Sequence, residues 1–231
     1  MKSLILTLTA VAVMAGTASA GDVTGKITLK GTPAPEKEIP IEPNCGKLRG
    51  DKKMMTRFYV VDAAGGLADC VVYLEGAKGG AAATVPVVID QKGCEYLPYI
   101  NSAQVNQTIR VLNSDAGTMH NVHPTPVVDG NKEVNKAMLP GGAPLEFTFA
   151  KSEKFLRYKC DVHPWMFSYV SVFDHGFHAV TGKDGSFKIT GVPDGKYKLV
   201  VEHRKAGKSE QEIEVKGGAK ADLTLNVPEA K

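Results

Sequence analysis

The sequence predicts an all-β protein, and three observations carry that expectation. Apolar and polar residues alternate with a period of two in one short segment after another. Turn formers separate those segments, with 24 Gly and 13 Pro spread along 231 residues. Long stretches with a helical period are few, and no internal repeat or coiled-coil heptad is evident.

The segments follow in order. Asp22 to Lys30 alternates and stops at the breaker cluster Gly31-Thr32-Pro33-Ala34-Pro35. Glu36 to Pro43 is charged and proline-rich, which predicts extended loop. Arg57 to Asp62 reads as a second strand, halted at Ala63-Ala64-Gly65-Gly66, and Leu67 to Glu75 as a third. After a small-residue linker at Gly79 to Ala83, Val85 to Asp90 opens a new set. Gln107 to Asn113 places Ile109 and Val111 on one face, and Asn113-Ser114-Asp115-Ala116-Gly117 is a turn leading to His120. Asn131 to Pro144 is loop, and Leu145 to Phe149 is a strand with Phe147 and Phe149 inward. Lys154 to Cys160 puts Leu156, Tyr158 and Cys160 on one face, and Phe167 to Phe173 alternates again. Lys183-Asp184-Gly185 and Pro193-Asp194-Gly195 are turn signals between the last alternating strands. The basic run Arg204, Lys205, Lys208 is expected at a solvated hairpin tip.

The first 20 residues carry Lys2, an apolar run from Leu4 to Gly16 and the small-residue site Ala18-Ser19-Ala20, the pattern of a cleaved secretory signal peptide. No other stretch is apolar enough to span a membrane. An exported, periplasmic or otherwise secreted protein is expected. The formal net charge of +3 comes with no clustered basic patch, which gives no sign of a nucleic-acid partner. Four cysteines are present, Cys45, Cys70, Cys94 and Cys160. An oxidising compartment favours a disulfide between Cys45 and Cys94, both at turn-like positions, with Cys70 a small buried hydrophobe in an apolar strand.

The chemistry-bearing stretch is Cys160-Asp161-Val162-His163-Pro164-Trp165-Met166. Cysteine, histidine and methionine recur every third residue in a tight loop between two strands, and Pro164 disfavours helical backbone at His163. Thiolate, imidazole and thioether together suit copper better than other common metals; thioether is a poor ligand for zinc. Upstream lies Met119-His120-Asn121-Val122-His123, with another imidazole to complete the set.

An H-N-V-H segment followed by C-x-x-H-P-W-M resembles the small blue-copper proteins, the cupredoxins, and among these the amicyanin and plastocyanin type. The resemblance covers roughly residues 85 to 173, with Trp165 where amicyanins carry Phe. It implies His120, Cys160 and His163 as strong ligands of one type 1 copper and Met166 as a weak axial ligand. It implies that Asn121 ties the ligand loops together, that His123 is not bound, and that Pro164 and Trp165 flank a histidine edge where redox partners dock. Trp165 packed between the two domains is the competing reading.

Ala179 to Leu199, with its G-x-F-x-I…V-P-x-G-x-Y-x-L pattern, resembles the second half of the carboxypeptidase regulatory-like, transthyretin-type sandwich. The opening strands of such a module precede the copper segment. The chain therefore divides into the signal peptide 1–20, a discontinuous sandwich of 21–84 and 174–228, and an inserted copper domain of 85–173. A plain tandem order is the alternative. His175 and His178, three apart beside Asp174, could form a second metal site but more simply lie at the domain junction.

The function expected is single-electron transfer, not enzymatic catalysis, since four protein ligands leave no open substrate position. The resemblance implies a protein redox partner such as a c-type cytochrome or a periplasmic dehydrogenase. Copper storage, sensing or delivery, and a purely structural sandwich module, are the alternatives.

Overall fold

The structure is a computed structural model that describes residues 19–50 and 52–229. The expected leader lies outside the described residues as far as Ala18. Among the described residues no helix is long and apolar enough to cross a membrane.

The chain is all-β. It opens with β1 (Ala20–Lys30), the single-turn helix α1 (Pro43–Leu48) and β2 (Val71–Glu75). The middle third carries β3 (Val87–Gln91), β4 (Tyr96–Leu97), β5 (Ile100–Gln104), β6 (Ile109–Asn113) and β7 (His120–Thr125). It continues through β8 (Lys136–Met138), β9 (Leu145–Phe147), β10 (Glu153–Lys159) and β11 (Phe167–Phe173). The last part holds β12 (His178–Val180), β13 (Ser186–Pro193), β14 (Gly195–His203), β15 (Gly207–Val215), β16 (Ala219–Lys220) and β17 (Leu223–Asn226).

These strands form four sheets. In one, β1 lies between β13 and β16, with β17 also paired to β1; a second has the order β12-β2-β14-β15. Strands from both ends of the sequence thus pair with each other. The other two sheets, β4-β3-β6-β9 and β5-β11-β10-β7-β8, draw only on the middle of the chain. The first pair of sheets encloses a core of Val23, Ile27, Leu74, Leu199 and Ile213 among others. The second pair encloses Ile89, Val111, Val122, Leu156, Tyr158 and Cys160. Each apolar side chain withdrawn from water in this way contributes about 1.5–3 kcal/mol.

A third apolar cluster joins the two sandwiches. Val71, Tyr73 and Val200 from one meet Ile100, Tyr169 and Phe173 from the other. β11 is therefore covered on both faces. Val170 and Val172 point into the middle-chain core, and Tyr169 and Phe173 into the junction. The expected alternation is present in the sequence, but neither face is left to solvent.

Three local expectations are corrected. Arg57 to Asp62 is not a ladder strand; it makes only the isolated bridge Val61↔Leu67. Its backbone N–H groups at Phe58 and Tyr59 instead donate to the Glu36 carboxylate at 2.9 and 3.2 Å, so a half-buried anion replaces a neighbouring strand. Glu36 to Glu42 is extended loop as expected, with α1 starting at Pro43, but Asn131 to Pro144 is not all loop, because β8 within it pairs with β7 (His120↔Met138). The hairpin tip after His203 is not simply solvated. The Arg204 guanidinium lies 3.5 Å over the Tyr169 ring and the Lys205 ammonium 4.5 Å over Phe58.

The turn at Lys183-Asp184-Gly185 shows why glycine is required there. Gly185 has φ +79, and a Cβ would fall 2.3 Å from the Ile27 carbonyl oxygen, whose strand it pairs with. Gly185→Ala is expected to lower the unfolding free energy by more than about 1 kcal/mol in urea titration. Gly46→Ala, in α1 with nothing within 4 Å of the new methyl, is expected to be neutral or stabilising by up to about 1 kcal/mol.

Candidate metal centre

Two segments bring the donors together. β7 begins at His120, so the turn at 113–117 delivers that ring directly into the core. The β10–β11 connection holds Cys160 and His163 and is closed by its own backbone: Cys160 N–H donates to the Met166 carbonyl at 3.1 Å, and Met166 N–H to the His163 carbonyl at 2.8 Å. β7 pairs with β10 in antiparallel register (Lys159↔His123). That pairing sets the two segments side by side.

His120, Cys160 and His163 offer ligand atoms that all lie within 4.8 Å of one another. Nδ1 of His120 is 3.0 Å from Nδ1 of His163, and Cys160 Sγ is 3.6 Å from the latter. All three residues are at most 3% exposed. Ligands bound to one ion at about 2.0–2.3 Å sit roughly 3–4 Å apart, so the observed separations fit a shared metal. Met166 is 1% exposed and belongs to the same apolar cluster as Cys160.

The outer contacts fix these rings. Asp115, buried behind His120, accepts from its Nε2–H at 2.9 Å. The same carboxylate accepts the backbone N–H groups of Gly93 (2.5 Å) and Cys94 (2.8 Å). Nδ1 of His120 is thereby left facing the cluster, the arrangement by which a carboxylate orients a metal-binding imidazole. Asn121 does tie the two segments. Its N–H points at Cys160 Sγ (3.5 Å), its side-chain oxygen accepts from Asp161 N–H (2.6 Å), and its amide donates to Asp161 (3.1 Å) and Asn135 (2.7 Å).

Charge is organised to match. Burial alone would lower the His120 pKa, but hydrogen bonds to Asp115 and Cys160 outweigh it and hold the ring up at about 9. Burial would raise the Cys160 thiol; hydrogen bonds from His120 and the Asn121 backbone reverse this and bring it below its usual value. Burial and the neighbouring His120 charge lower His163. The site thus favours the charged form of His120, held between Asp115 and Cys160, and disfavours the charged form of His163.

The other expected residues are placed as follows. His123 leaves the cluster: its ring nitrogens face Asp161 and Glu133, each at 2.6 Å. Pro164 is exposed. Trp165 is half-buried, its ring 5.3 Å from that of His163, and its Nε1–H donates to the Cys94 carbonyl at 3.2 Å. The His163 edge does not emerge at the surface; Glu42 lies 3.8 Å from its Nε2. Cys45 and Cys94 form a disulfide with Cα atoms 5.5 Å apart, and Cys70 is a buried free thiol. His175 and His178 sit at the junction of the sandwiches, packed on Phe173 with rings 6.3 Å apart. Neither is part of the ligand groups found among the described residues.

Sequence reasoning missed Asp115 and Glu42. Asp115 was visible only as a turn residue. A carboxylate five residues before the first histidine was its one signal.

No family model matches the chain, and no curated protein matches it. Among solved structures, the chain is similar to a copper-containing nitrite reductase from Thermus scotoductus SA-01. That match is 24% identical over 42% of this chain and 24% of that one, with a TM-score of 0.35. It is also similar to an amicyanin variant in its Cu(I) form, 26% identical over 44% of this chain and 97% of that one, TM-score 0.34. An oxidized amicyanin variant gives 25% identity with the same coverage and TM-score. The chain spans about a quarter of the length of the nitrite reductase.

Two outcomes are expected from this geometry. Asp115→Asn should weaken metal binding about 10–100-fold in competition with a chromophoric chelator, because the His120 ring loses its anchor. Below about pH 9 a metal must displace the His120 proton. Affinity should therefore rise with pH and level off above about 9, and calorimetry in buffers of different ionisation enthalpy should detect that proton's release.

Proposed function

We propose that this chain is an exported type 1 copper protein that passes single electrons between redox partners and is not itself an enzyme. The observation that carries the reading is the convergence of two imidazole Nδ1 atoms and one thiol sulfur on a single buried point. In this reading His120, His163 and Cys160 would hold one copper, and Met166, buried in the same cluster as Cys160, would add a weak thioether donor. That mixed set suits both oxidation states of copper, so little rearrangement accompanies an electron.

The chain's own residues supply the rest. Asp115 keeps the His120 Nδ1 aimed inward, Asn121 N–H points at the sulfur, and the closed 160–166 loop holds Cys160 and His163 in one frame. Burial of His120, Cys160, His163 and Met166 shields the donors from bulk water. That burial favours electron transfer over copper storage or delivery, which need an exchangeable site.

The proposed division into a copper domain of 85–173 inserted in a discontinuous sandwich of 21–84 and 174–228 is supported by the pairing of β1 and β2 with strands after residue 177. The copper part would be a cupredoxin-like sandwich and the rest a transthyretin-like one. A c-type cytochrome or a periplasmic dehydrogenase is the partner class proposed, with the leader directing export.

Adding Cu(II) to the purified metal-free protein tests the reading. The expected result is an intense visible thiolate-to-copper band at one copper per chain, bleached by ascorbate and restored on oxidation. Cys160→Ser should abolish it. Copper bound tightly without such a band would overturn electron transfer and favour copper handling.

A further inference from the structure

Residues 36–50 lie before the copper-binding half in sequence, yet they pack on it. Ile41 and Leu48 rest against the apolar cluster that contains Cys160 and Met166. Cys45 is joined to Cys94, and both are fully buried. Arg49 is anchored to the same loop, paired with Glu95 at 2.7 Å and donating to the Gly93 carbonyl at 3.1 Å. Three independent ties thus hold this strap over the end of the sandwich where the ligand loops meet. Beneath it His163 is 3% exposed, with Glu42 against its outer nitrogen.

The ring that does reach outward from His163 is Trp165. Its face stands 5.3 Å from the imidazole, and its Nε1–H is fixed on the Cys94 carbonyl. On its other side it lines a shallow groove with Met55, Arg57, Phe58, Tyr99 and Phe167. Met55 and Phe58 there are each 40% exposed.

We propose that residues 36–50 seal the imidazole edge of His163, so that electrons enter and leave through Trp165 and its groove. This rests on the copper reading above, and it makes Trp165 a positioning residue for the electron's route and not a ligand. In the test reaction one electron passes from the reduced, copper-loaded protein to hexacyanoferrate(III), giving the oxidised protein and hexacyanoferrate(II), with no proton or bond change.

Stopped-flow oxidation by hexacyanoferrate(III) reads the route. Trp165→Leu is expected to slow it about tenfold, equivalent to ~1.4 kcal/mol on the barrier, and Trp165→Phe, which keeps an aromatic ring, to restore most of the rate. A rate for Trp165→Leu within about twofold of the parent, or equal losses in both variants, would overturn the route. The seal is read separately on metal-free protein, by deuterium exchange at the histidine C2 position followed by mass spectrometry. His163 should exchange far more slowly in the folded protein than in urea, and should speed up in Cys45→Ser/Cys94→Ser. Exchange at the unfolded rate in the parent protein would overturn the seal without any variant. Absence of a thiolate-to-copper band removes the proposed function and with it the Trp165 route. The seal then stands or falls on the exchange measurement.

Discussion

One buried carboxylate connects the parts of this site. Asp115 accepts two backbone N–H groups from Gly93 and Cys94 and the Nε2–H of His120. A charge at 3% exposure is costly unless each lone pair finds a donor, and here all three donors converge on it. The result is a rigid link from the loop bearing the disulfide to the ring at the centre of the donor cluster. His120 is oriented because Asp115 is held, and Asp115 is held because Gly93 and Cys94 present their N–H groups together. Remove that anion and Nε2 of His120 loses its hydrogen-bond partner, so the ring that turns Nδ1 inward is no longer held from behind.

The second constraint is the doubly covered sheet. β11 starts next to the ligand loop, and its alternate residues enter two different apolar clusters. Tyr73 and Phe173 pack at 5.0 Å across the junction, and Lys154 lies 3.9 Å over the Tyr73 ring while bonding to Glu202. The strand that leaves the ligand loop is thereby clamped by both sandwiches. A closed ligand loop on a clamped strand holds Cys160 and His163 in place in the absence of any ion.

Much of this was legible in the residues. The period-two segments ending at Cys160 and beginning at Phe167 gave the hairpin, since Leu156, Tyr158 and Cys160 must share a face. The three-residue spacing of Cys160, His163 and Met166 singled out the loop as donor-rich, and the cupredoxin resemblance implied His120 as its partner; the structure brings His120, Cys160 and His163 together. The Cys45–Cys94 disulfide followed from turn chemistry. What could not be read were contacts that depend on where distant segments land. Arg57 to Asp62 has strand-like residues, but Glu36 captures its N–H groups from 22 residues away. Residues 36–50 carry no pattern that says they will pack against the ligand loops; only the expected disulfide hinted that Cys45 must lie near Cys94. Phe167 to Phe173 alternates like a half-exposed strand, and nothing local indicates that a second sandwich covers its outer face. Arg204 looks like a solvent residue because its partner, Tyr169, is in the other half of the molecule.

The central claim is that two histidine nitrogens and one cysteine sulfur bind a single copper. X-ray absorption at the copper K-edge on the reduced, stoichiometrically loaded protein tests it most directly. The account predicts a first shell of two imidazole nitrogens and one short sulfur, with the sulfur lost in Cys160→Ser and one imidazole lost in His120→Gly. A shell of nitrogen and oxygen alone, or a copper–copper vector, would contradict it.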